Sequence, residues 1–162
     1  MLKLITKITA AIAVVSIALF GSANAKTLKI ETHFTASSPN GEVAAQFAKN
    51  VEMFSGGSLK IQMFYSSSVT GKSAEVFNSA QTGIIDCDMT GAGYQTGKNA
   101  AFQFAGDVMG GYDNPYQQYE FLNFPGAQEA VDALYNKYGM TLIGWWIPGH
   151  ESLISSKPIP DV

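Results

Sequence analysis

The hydrophobic period of this chain switches four times between residues 27 and 89, and few folds accept that pattern. Thr27-Leu28-Lys29-Ile30-Glu31-Thr32-His33-Phe34 alternates apolar and polar residues, the period of a half-buried strand. Ser38-Pro39 then supplies a capping hydroxyl and a proline suited to the first helical position. Val43, Phe47, Val51 and Phe54, with Ala44 and Ala48 beside them, predict one apolar helix face, and Gly56-Gly57 its end. Leu59 to Tyr65 alternates again, with Leu59, Ile61 and Met63 on one side. After the turn Ser66-Ser67-Ser68, a second helix is expected over 72–82, burying Val76, Phe77 and Ala80 and closed by Gly83. Ile84 to Met89 is a third expected strand. Strand, helix, strand, helix, strand at this spacing predicts βαβ units, hence an α/β fold with a parallel sheet covered on both faces.

The pattern dissolves over 90–112, where six glycines are scattered among aromatic residues. Asn114-Pro115 restarts a helix, with Tyr116, Tyr119 and Leu122 expected on one face. Pro125-Gly126 opens another, with Ala127, Ala130, Val131, Leu134 and Tyr138 inward and Gly139 as its stop. Met140 to Ile147 is apolar and predicts a strand, and Leu153-Ile154 a last short extended piece.

Ahead of the first strand stand Lys3 and Lys7, the uncharged apolar run Ile8 to Phe20 and the small residues of Ala23-Asn24-Ala25. These are the three parts of a secretory signal peptide, with cleavage expected before Lys26. The apolar run is shorter than the roughly 20 residues that cross a bilayer. The expected address is therefore periplasmic. Cys87, the only cysteine, can form no internal disulfide and reads as an inert core thiol. Without residues 1–25, eight lysines face thirteen acids, a net charge of −5 and the wrong sign for nucleic acid. There is no arginine, so the side chain that grips a carboxylate with two parallel hydrogen bonds is missing from this sequence.

Six segments then occur in a telling order. They are Leu28-Lys29-Ile30, Ala45-x-Phe47-Ala48 with Val51-Glu52, and Ser55-Gly56-Gly57-Ser58-Leu59-Lys60-Ile61. Ala80-Gln81-Thr82-Gly83-x-x-Asp86, Gly144-Trp145-Trp146 and Ser155-Ser156-Lys157-Pro158-Ile159 follow. As an ordered set spanning residues 26–160, they resemble the solute-binding subunit of a TRAP transporter, the DctP-type periplasmic binding proteins. That resemblance implies two α/β lobes joined by hinge strands, with the ligand in the cleft between them. Residues 26–156 would be the first lobe, a mostly parallel sheet with flanking helices. Residues 157–162 would be the start of a second lobe that is otherwise missing here. In the family that continuation carries the arginine that pairs with the ligand's carboxylate. The implied function is to capture a small organic anion, a carboxylate, and deliver it to the membrane subunits of an ion-gradient-driven transporter. No catalysis, cofactor or metal is implied.

In open α/β sheets, ligands lie outside the carboxyl ends of the strands, where the strand order reverses. With strands one and three adjacent, residues 33–38, 90–94 and 145–150 would face the cleft. His33 is either a hydrogen-bond partner of the ligand or a surface histidine. Thr90, Gly91, Ala92 and Tyr94 would line the site, the resemblance implying as much, with glycine allowing close backbone approach to an anion. Trp145 and Trp146 are neighbours on an expected strand and so point to opposite sides. At most one would reach the cleft as an aromatic wall while the other joins the core, and two core residues are the alternative. Asp86 and Asp88 share a strand face; paired carboxylates can bind a cation or do acid–base work, but with no third ligand near in sequence they read as a solvated or helix-covering edge. His150-Glu151 has no second histidine four residues on and reads as cleft rim or hinge. Gly-x-Ser-x-Gly, phosphate-loop and dinucleotide motifs are absent, so no positive feature supports an enzyme. A secreted α/β enzyme and a self-contained envelope interaction domain remain the rival readings.

Overall fold

The computed structural model of the chain describes residues 25–106, 108, 111–147 and 155–158. The expected signal peptide, the Leu153-Ile154 strand and His150-Glu151 lie outside the described residues, apart from Ala25. Strand β1 spans Lys26–Thr32, helix α1 Pro39–Phe54, β2 Leu59–Phe64, α2 Val76–Gln81 and β3 Cys87–Met89. A 3-10 turn, Ser73–Glu75, leads into α2. Two more, Ala92–Gln95 and Ala100–Ala105, precede helices α3 (Pro115–Asn123) and α4 (Pro125–Asn136).

The three strands form one parallel sheet in the order β2-β1-β3. The chain steps from β1 outward to β2, then crosses back over β1 to β3. Two right-handed crossovers running in opposite directions place their helices on opposite faces of the sheet. The reversal of order falls between β1 and β3, the position at whose carboxyl ends open α/β sheets take their ligands.

Local chemistry sets most boundaries. Ser38 Oγ accepts the Gly41 N–H at 3.1 Å at the start of α1, with Pro39 in its first turn. Asn114 Oδ1 takes the N–H groups of Tyr116 and Gln117 at the start of α3. Gly57, Gly83 and Gly139 have positive φ at the turns that close their helices. Gly41 answers a different need: a Cβ there would run into the Thr35 carbonyl oxygen.

The core is built around Phe77, Ala92, Phe102, Ala105, Val131 and Leu134. The Phe102 ring meets Phe77 and Tyr135 edge-on, at centroid distances of 5.8 and 5.2 Å. Lys98 lies 5.5 Å over the Phe77 ring and donates to Asn78 Oδ1.

Several expectations are corrected. In α1 the inward residue is Ala44, while Val43 and Phe54 are exposed. Tyr116 and Tyr119 also point outward, and only Leu122 of that trio is buried. Two steps of three residues rotate a helix by about −120°, too far for one buried stripe. Ala130 of α4 faces solvent. Strand β3 is three residues long, and Ile84 before it is exposed. Residues 140–147 form no strand; they run along α4, held where the Leu142 N–H donates to Asp132 Oδ1 at 3.0 Å. Their apolar character serves the core, against which Met140, Leu142 and Trp145 pack.

Candidate ligand site at the strand ends

β1 ends in Thr32, and the next two side chains form the centre of the candidate site. The His33 ring lies 3.9 Å from that of Phe34 and meets Tyr94 edge-on at 5.3 Å. Phe34 in turn stacks at a tilt against Trp146 at 5.9 Å. The structure thus brings His33, Tyr94 and Trp146 to one place, from the end of β1, the loop after β3 and the segment after α4. Phe34 is the connecting ring. Phe34 falls in the 33–38 segment expected to face the cleft, but the sequence assigned it no role of its own, although its position directly after His33 at a strand end was a usable signal.

His33 is half-buried, and burial pushes its imidazole below the ordinary histidine range, so at neutral pH the ring is uncharged. Its Nδ1 is enclosed and has no hydrogen-bond partner. A buried polar atom without a partner costs about 1–3 kcal/mol, which a ligand donor or acceptor would offset.

The other expected lining residues divide. Thr90 stands at the strand end, but its hydroxyl hydrogen is given to Asp88 Oδ1 at 2.6 Å. A hydroxyl has one hydrogen, so Thr90 offers a ligand only lone pairs, which repel a carboxylate. Gly91 has ordinary extended φ, and a Cβ there would merely touch the Tyr94 ring at 3.8 Å, so nothing local demands glycine. Ala92 is 7% exposed and belongs to the core. Trp145 packs against the core and Trp146 against Phe34, so the two tryptophans do part company, on an irregular segment instead of a strand.

Carboxylates crowd beneath this edge. Glu31 is completely buried, contrary to its place in an alternating strand. Its Oε1 accepts the N–H of Val69 at 2.6 Å and of Thr70 at 3.4 Å. The loop that carries them is tied to β1 by Ser66 N–H to Phe34 O and Ser67 N–H to Thr32 O. Of the two readings of this edge, solvated or covered, Asp88 follows the covered one: burial, more than the charge of Glu31, pushes it up to about 6, against the bonds from Thr90. Asp86 is exposed, and its Oδ2 accepts the Lys29 N–H. Between them the half-buried Cys87 thiol is pushed up, chiefly by burial and then by both aspartates, which keeps it protonated and unreactive. The described residues contain no group of three or more His, Cys, Asp or Glu arranged to hold a metal ion.

Solved structures share this architecture. A TRAP periplasmic solute-binding protein from Rhodobacter sphaeroides, in an apo open form, is 26% identical with a TM-score of 0.67; the match covers 73% of this chain and 37% of that one. A TRAP transporter solute-binding protein from Bordetella bronchiseptica, with calcium and picolinate in its active site, is 22% identical, covering 70% and 34% with a TM-score of 0.64. One from Pseudoalteromonas atlantica, with bound sodium and pyruvate, is 20% identical, covering 72% and 35% with a TM-score of 0.65. The chain therefore spans about a third of the length of the structures it resembles. No curated protein matches its sequence. The family model for the bacterial extracellular solute-binding proteins, family 7, matches residues 30–162, and to that family this chain belongs.

Proposed function

We propose that this chain forms one wall of the ligand cleft in a periplasmic receptor that captures a small organic acid for a TRAP-type transporter. Residues 26–156 are read as an α/β lobe and residues 157–162 as the start of a second one. Membership of a solute-binding family supports the class of function. The observation that carries the site is the gathering of His33, Phe34, Tyr94 and Trp146 at the strand-order reversal, with the His33 Nδ1 buried and unpartnered. Uncharged His33 can hydrogen-bond a carboxylic ligand, while the rings give an apolar wall for its carbon skeleton. Gly91 and Ala92 contribute backbone and shape. Trp145 supports the wall from the core side. The chemistry is binding alone: ligand shifts a receptor toward its closed form, and no bond is made or broken. The relatives' ligands, pyruvate and picolinate, are small carboxylates and set the class to try first.

Affinity in a two-walled cleft comes from both walls, so this chain by itself should bind weakly. Calorimetric titration with pyruvate and picolinate is expected to give millimolar affinity or weaker. NMR shift changes at saturating ligand should centre on His33, Tyr94 and Trp146. Micromolar affinity would overturn the two-walled reading. Shift changes located elsewhere would overturn the site.

A further inference from the structure

Glu31 and Asp88 are direct register partners on β1 and β3, so their side chains leave the sheet on the same face. Neighbouring strands are about 4.8 Å apart, close enough for the two carboxyl groups to interact. Each already has one oxygen engaged: Glu31 Oε1 by the N–H groups of Val69 and Thr70, Asp88 Oδ1 by the Thr90 hydroxyl. The second Glu31 oxygen, Oε2, is enclosed and has no partner. Two bare carboxylates so placed would repel one another and leave that oxygen orphaned.

We propose that Glu31 and Asp88 share a single proton, carried on Asp88 Oδ2 and donated to Glu31 Oε2. One proton removes both faults. It replaces a like-charge contact with a charge-assisted O–H···O bond, among the strongest in proteins. It also completes a continuous chain of donors, from Thr90 to Asp88 to Glu31, met from the other side by Val69 and Thr70. The chain links the loop after β2 to the loop after β3, both at the ligand edge of the sheet. Burial raises the proton affinity of Asp88, and the Glu31 charge adds a smaller push in the same direction. Facing Asp88 are Glu31 from β1 and Tyr135 from α4, with Thr90 just past the end of its own strand and the Cys87 thiol beside it in sequence. The Tyr135 phenol is pushed up to about 12 by burial and by the Asp88 charge. The pair is thus a latch that closes in mild acid and opens as pH rises, whichever solute the family site takes.

Carboxyl-carbon NMR of the full chain tests it without any ligand. Asp88 should titrate near pH 6, not near its ordinary 3.8. In Glu31→Gln the like charge is gone and an amide N–H faces Asp88, so its midpoint should fall measurably, burial keeping the remainder above 3.8. Amide exchange protection at Val69 and Thr70 should drop as pH passes 6 in the wild type and stay level in Asp88→Asn. The last two readouts remain if Glu31→Gln does not fold. An ordinary Asp88 midpoint, a midpoint unmoved by Glu31→Gln, or a midpoint that calcium or sodium depresses as strongly as that variant does would each overturn the shared proton.

Discussion

At the scale of single residues, Asp88 has the clearest consequence. Its folded-state pKa rises from 3.8 to about 6, a difference of about 2 units and at most about 3 kcal/mol. For an acid held above its unfolded value, the native state binds the proton more tightly. Stabilisation is therefore complete below pH 3.8 and is lost as pH rises through about 6. Asp88→Asn keeps an acceptor for Thr90, gains an N–H for Glu31 and has no charge to bury. Urea denaturation should find the variant no more stable than wild type at pH 4, but up to about 3 kcal/mol more stable at pH 7.5. A difference that stays flat with pH would show that Asp88 ionises without hindrance. Sequence could not supply this. The alternation of β1 put Glu31 with Thr27 and Lys29 on a polar face, and the period holds no record of what later covers it. The 66–70 loop does so, from more than thirty residues away along the chain. His33 was legible as a strand-end residue for the opposite reason: its position follows from local alternation alone.

Elements were easiest to read where a short-range rule fixes them. Ser38-Pro39, Asn114-Pro115 and the glycines at 57, 83 and 139 mark helix ends by hydrogen bonding and positive φ that need no distant contact. Gly41 belongs to the same scale. It lies buried in the first turn of α1, where a Cβ would meet the Thr35 carbonyl. Gly41→Ala trades a favourable helix propensity, worth about 1 kcal/mol, against a backbone collision, and overpacking costs of about 1–3 kcal/mol or more are typical. The collision should win because backbone, not a flexible side-chain end, must yield. A thermal melt of Gly41→Ala is expected to show net destabilisation of about 1–2 kcal/mol, and a rise in Tm would mean that the β1–α1 turn relaxes freely. Elements whose length depends on partners were misjudged. β3 is shorter than its apolar run because only Cys87–Met89 pairs with β1. Met140, Leu142 and Trp145 of the 140–147 segment pack against the core without a ladder, while Ile143 stays exposed. The stretch after β3 gave no period at all, since 3-10 turns of four and six residues bury isolated side chains such as Ala92 and Phe102.

Across the whole molecule, the arrangement is lopsided. The aromatic core lies among α2, the two later 3-10 turns and α4, while several large apolar side chains elsewhere face outward. Phe54, Phe104, Tyr116, Phe124 and Ile143 are each between 64% and 80% exposed. Single exposed apolar residues are ordinary, but this many large ones among the described residues favour association. The relatives are nearly three times as long as the matched part, so surfaces bare here have more protein available to cover them there. This chain in isolation should therefore self-associate. Sedimentation velocity should show species larger than monomer growing with concentration, and Phe104→Ser with Tyr116→Ser should reduce them while far-UV dichroism stays unchanged. A chain that remains monomeric at high concentration, with no response to that double change, would argue that these side chains are tolerated singly.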